Sequence, residues 1–122
     1  MTTTKEMRKK IIKKIKSLNN TTEVWEDLSY MFTYIYQDYH IIVEGVCNFL
    51  CKRNNSDDYE KYKKFVVPAI RTSKAEYFER LDMFINKEEW IEICKTIMLK
   101  TARQFDDEDV KWFYDYQFSE NK

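Results

Sequence analysis

The chain has 122 residues, among them eight Phe, three Trp and nine Tyr but one Gly and one Pro. Sandwiches and barrels need many tight turns, which draw on Gly and Pro, so this composition argues for helices. It also excludes the glycine-rich phosphate loops, because neither GxxxxGK[ST] nor GxGxxG can be written with one glycine. Twenty-one basic residues balance 21 acidic ones, so no global field drives binding to nucleic acid or membrane.

The balance hides an asymmetry along the chain. Residues 1–19 hold seven bases and one acid, whereas residues 106–122 hold six acids and two bases. Three cysteines, Cys47, Cys51 and Cys94, leave one unpaired in any bridge, which suits a reducing compartment. No apolar run approaches membrane-spanning length, and the lysine-rich start lacks a signal-peptide core. These features predict a soluble, intracellular, cytoplasmic protein forming one helical domain over residues 1–122.

In chain order, Thr3-x-x-Glu6 forms a capping box for a first helix. Met7, Ile11, Ile15 and Leu18 repeat on one face, with Ile12 beside them, and Asn19-Asn20 ends the run. The opposite face is basic. Thr21-Thr22 opens a second helix whose seam is Trp25, Leu28, Phe32, Ile35, Tyr39, Ile42, Val46 and Phe49, spaced alternately by three and four. That periodicity predicts a long, largely apolar helix over about residues 22–52 at the centre of the bundle. Gly45 inside it marks a close helix crossing, since Gly otherwise costs about 1 kcal/mol against Ala.

Asp57-x-x-Glu60 caps a third helix with Tyr59, Tyr62, Phe65 and Val66 inward, which Pro68 should stop or kink near Val67. Ser73-x-x-Glu76 caps a fourth, carrying Phe78, Leu81 and Ile85. Asn86-x-x-Glu89 caps a fifth with Trp90, Ile91, Cys94, Ile97, Met98 and Phe105. Asp106 to Asp109 places acids at the start of a sixth, where the helix dipole favours them. The fold expected is an all-α, compact bundle of five or six helices.

Chemistry-bearing constellations are few. His40, Glu44, Cys47 and Cys51 stand at i, i+4, i+7 and i+11, a stripe with zinc-ligand types but no second element converging on it. The single histidine excludes two-histidine metal motifs, and no GxSxG elbow exists. No enzyme, cofactor or metal site is therefore expected. On the first helix, Lys5, Lys9, Lys13 and Lys16 either contact phosphates or an acidic surface, or are simply solvated.

Residues 112–118, Trp-Phe-Tyr-Asp-Tyr-Gln-Phe, place five aromatics in seven positions, with Phe113 and Phe118 expected to follow Val110 inward. Tyr30, Tyr34 and Ile41 likewise exceed what one seam consumes. Large aromatics dominate interface hot spots because they bury much area with few rotors. The sequence thus predicts a non-enzymatic protein–protein interaction module, of inhibitor, antagonist or adaptor type. Its proposed anchors are Trp112, Tyr116, Tyr30 and Tyr34, and self-association is part of this reading. The alternative is a small nucleic-acid-associated subunit using the four lysines.

Overall fold

The computed structural model describes residues 2–35, 39–72 and 84–119, with the side chains of residues 32–35, 39 and 69–72 outside that description. Every regular element among the described residues is helical: α1 (Thr4–Ser17), α2 (Thr21–Ile35), α3 (Tyr39–Arg53), α4 (Tyr59–Thr72), α5 (Lys87–Arg103) and α6 (Asp107–Phe118). No helix among the described residues is long and apolar enough to cross a membrane.

Local chemistry sets most helix starts. Thr3 Oγ1 accepts from the Glu6 amide at 3.2 Å, and Asn86 and Glu89 satisfy each other's amides in a complete capping box. Asp106 accepts from the Asp109 amide at 2.8 Å. At Thr3 only half of the expected capping box forms, since among the described residues the Glu6 side chain makes no return bond to the Thr3 amide. Two other caps use a different residue from the one expected. Asn20 opens α2 by accepting from the Glu23 amide, and Asp58 accepts from the Lys61 amide at the start of α4. The side chain one position along reaches an orphan amide, which is all a cap requires.

The long central helix expected over residues 22–52 is not found; two helices stand in its place. Thr21 and Trp25, at the start of α2, line one concavity with Lys87 and Trp90, at the start of α5. Arg53, at the end of α3, also reaches the start of α5, donating to the Phe84 carbonyl at 2.6 Å and pairing with Glu89 at 3.0 Å. Both outer ends of the 22–52 stretch therefore meet the same end of α5, so α2 and α3 run antiparallel. A 3-4 repeat reports which side of a helix is apolar and carries no information about direction.

The centre belongs to α5. It packs against α1, α2 and α3, and buries Trp90, Ile93, Cys94, Ile97, Met98, Thr101 and Ala102. On α1, Ile11 and Ile15 are fully buried. Arg8 donates 2.6 Å bonds to the carbonyls of Ala102, in the last turn of α5, and Phe105, just beyond its end. The Ala102 carbonyl is one of the last-turn carbonyls that lack an i+4 donor within the helix, and Phe105 lies in the turn that follows. Lys95 returns the interaction by donating to the Leu18 carbonyl at 2.9 Å, so α1 is antiparallel to α5. α6 packs across α1 and α2, and α4 lies outside α3.

Pro68 lies inside α4, which runs on to Thr72 instead of stopping near Val67. Pro68 and Lys64, whose carbonyl loses its helical donor, are both exposed, so water is available to that carbonyl. Of the expected fourth helix, Ser73, Glu76, Phe78 and Leu81 lie outside the described residues, and Ile85 is buried.

Gly45 does mark a close crossing. A Cβ built there would lie 2.6 Å from Cδ1 and 2.7 Å from Cγ1 of Ile97 on α5. Gly45→Val should therefore destabilise the fold by about 1 to 3 kcal/mol through overpacking, despite valine's better helix propensity. Ile97→Ala in the same chain should recover part of that loss, measured as a coupling energy in a double-mutant denaturation cycle.

Candidate functional site

The aromatic run of α6 divides among three neighbours. Val110, Phe113 and Gln117 form the buried stripe. Trp112 and Tyr116 leave by one flank and meet Tyr30 of α2. The Tyr30 and Trp112 rings stack at 4.7 Å with 8° between planes, and Tyr116 lies 3.7 Å from Tyr30 between ring centroids. Tyr116 also stacks on Phe113 at 5.7 Å. Tyr114 and Phe118 pair at 4.7 Å on the flank toward α1. There the Lys14 ammonium sits 5.1 Å from the Phe118 centroid and donates to the Gln117 carbonyl at 2.9 Å.

Phe118 is therefore not inward as expected: it is 42% exposed. At 3.6 residues per turn it stands about 80° round the helix from Val110, while Gln117 completes the stripe. A short helix need not bury five rings in one core when both flanks lie against other helices. Tyr30, Trp112 and Tyr116 remain half-buried, so the cluster keeps an accessible surface. The Tyr34 side chain lies outside the described residues.

Beneath the rings is a polar pin. Asp27 is 3% exposed and Gln117 2%, and the Gln117 amide donates to Asp27 Oδ2 at 3.0 Å. Tyr116 also hydrogen-bonds the Asp27 carboxylate. Gln117 Oε1 is buried and has no hydrogen-bond partner among the described residues. Buried polar groups cost stability unless paired, and they fix one geometry when they are. Burial first, then the Asp27 charge and the hydrogen bond, hold the Tyr116 phenol well above its ordinary range.

The metal-type stripe separates on the surface of α3. His40 and Glu44 are exposed, Cys51 is half-buried and Cys47 fully buried. Glu44 pairs instead with Lys100 at 3.2 Å. Among the described residues, no three His, Cys, Asp or Glu side chains stand where they could hold a metal ion. All three cysteines are free thiols. Burial, followed by the charge of Cys51, pushes Cys47 up to about 11, and burial pushes Cys94 up to about 12. Neither is suited to act as a nucleophile near neutral pH, where the thiolate is the reactive form.

On α1, the side chains of Lys5, Lys9, Lys13 and Lys16 are exposed. Sequence reasoning missed the division of labour within this helix, because Arg8 and Lys14 serve carbonyls of α5, the turn after it and α6. The only available signal was their position on the flanks of the Ile11 and Ile15 stripe.

Compared with known proteins, the chain matches no family model, no curated protein and no solved structure.

Two measurements follow from these environments. A thiol reagent at pH 8 should modify Cys51 readily, and Cys47 and Cys94 only after denaturation; fast labelling of all three in the native protein would contradict their burial. Unfolding free energy should also fall as pH rises above about 9, the ordinary thiol value. Unfolded thiols and phenols then lose protons that the folded chain retains, so the native state binds more protons and stability declines. Tyr116→Phe should flatten the part of that decline above pH 10, the ordinary phenol value, in denaturation titrations.

Proposed function

We propose that the protein is a non-enzymatic interaction module of inhibitor or adaptor type, which engages a partner protein through the aromatic surface shared by α2 and α6. The observation that carries this reading is the meeting of Tyr30 with Trp112 and Tyr116 in one half-buried stack. Residues far apart in sequence supply one continuous patch of rigid rings, the side-chain type that concentrates binding energy at interfaces. The buried Asp27 beneath and the exposed Glu26 beside it on α2 favour a partner presenting basic side chains. Three free thiols fit action in the cytoplasm. A second copy of the chain is one form such a partner can take.

Photo-crosslinking in host cells tests the reading. A photoreactive residue at Glu26 or Asp115, beside the rings, should give discrete protein adducts. The same residue at Lys63, on α4, should give none. Trp112→Ala combined with Tyr116→Ala should abolish the adducts while circular dichroism shows the helices retained. Adducts that persist in the folded double variant, or that never form, refute the assignment; adducts to the chain itself identify the self-associating form.

A further inference from the structure

We infer that the outward face of α1 is a docking surface for the phosphate backbone of a nucleic-acid duplex. It is independent of the α2–α6 aromatic surface. The basic residues of α1 fall into two classes. Arg8 and Lys14 are turned inward and bound to carbonyls of other segments. Lys5, Lys9, Lys13 and Lys16 are exposed and share one face within about 80° of arc, with Lys10 exposed beside them.

Among the described residues, no carboxylate lies within ion-pair distance of these four lysines. Elsewhere, bases close to acids do pair, as Arg53 does with Glu89 and Lys100 with Glu44. Glu6 is the only acid within α1. The chain is neutral as a whole, so this uncompensated face is a local field and not a consequence of net charge.

The face is also pre-organised. Ile11 and Ile15 are fully buried, and bonds through Arg8, Lys14 and Lys95 fasten the helix toward its start, in its last turn and just past its end. Ordering cost on binding is then confined to the lysine side chains. The same burial argues against a lipid surface, since an interfacial helix must insert the apolar face that α1 has already committed to the core.

The side-chain types narrow the ligand further. A lysine ammonium is a compact point charge that suits phosphate contact and lacks arginine's planar fork. No aromatic residue occurs in α1, so the face offers no platform for stacking the bases of a single strand. Lys5 to Lys16 spans about 16 Å at 1.5 Å per residue, which covers roughly five phosphates of one strand of a duplex. Sequence-independent backbone contact is what this arrangement can make.

The test is the binding of the full chain to a 20-base-pair duplex DNA of arbitrary sequence, followed by fluorescence anisotropy across salt. Affinity should fall about a hundredfold between 50 and 200 mM salt if four phosphates are contacted, since each contributes about 0.9 to the logarithmic slope. Each single Lys→Gln change among the four should lower that slope by about 0.9. The quadruple variant, folded by circular dichroism, should lose binding, while K63Q with K64Q on α4 should change nothing. No binding at 50 mM salt, or binding undiminished in the quadruple variant, overturns the inference. So does stronger binding to an equivalent single strand or to anionic phosphatidylserine vesicles than to the duplex.

Discussion

The backbone of α3 meets α5 at Gly45 with no room for a methyl group, because the Ile97 side chain already occupies the place where a Cβ would go. The rest of the bundle is arranged around the helix that makes this contact. The start of α5 is held by the Asn86–Glu89 capping box and by Arg53, which binds both Glu89 and the preceding Phe84 carbonyl. The end of α5 and the turn after it are held by Arg8 through the carbonyls of Ala102 and Phe105. Helix ends carry unsatisfied backbone groups, so ties at those points hold a neighbouring helix as well as completing hydrogen bonds. The single glycine and two arginines thereby fix α3 and α1 against the same central rod.

With α5 placed, α6 becomes the element that converts aromatic excess into structure and surface together. Phe113 fills the core, Trp112 and Tyr116 fasten one flank to α2, and Tyr114 and Phe118 cover the other toward α1. The Asp27–Gln117 hydrogen bond underneath fixes the register of α2 on α6, since a slip by one turn would leave buried polar atoms unpaired. Rings held this way are rigid and still half accessible, which is the combination an interaction surface needs.

The charge asymmetry of the chain resolves into two surfaces of different character. Acids at the start of α6 answer the helix dipole and the Asp106 cap. On α1, the buried stripe turns Arg8 and Lys14 toward neighbours, while the remaining lysines point to solvent in a row. A neutral chain can thus present a strongly basic face, because charge is sorted by position on a helix and not by total.

Much of this was legible in the sequence. The 3-4 spacing and the capping residues gave the helical class, the core faces of α1 and α5, and the meaning of Gly45, since backbone satisfaction and apolar periodicity are local properties. The reversal between α2 and α3 was not legible. The apolar repeat runs on unbroken from the residues of one helix into those of the other. Nor did Pro68 end α4: the carbonyl deprived of its helical donor is that of Lys64, and both residues are exposed, so water can reach it. The stack of Tyr30 on Trp112, the Asp27–Gln117 pair and the capture of the α5 end by Arg8 join residues more than 80 positions apart. Sequence determined which faces were apolar and where helices could start. Which distant faces met, and hence which rings and lysines remained outside, was decided by tertiary packing, because that choice depends on helix direction and volume, properties that no local pattern encodes.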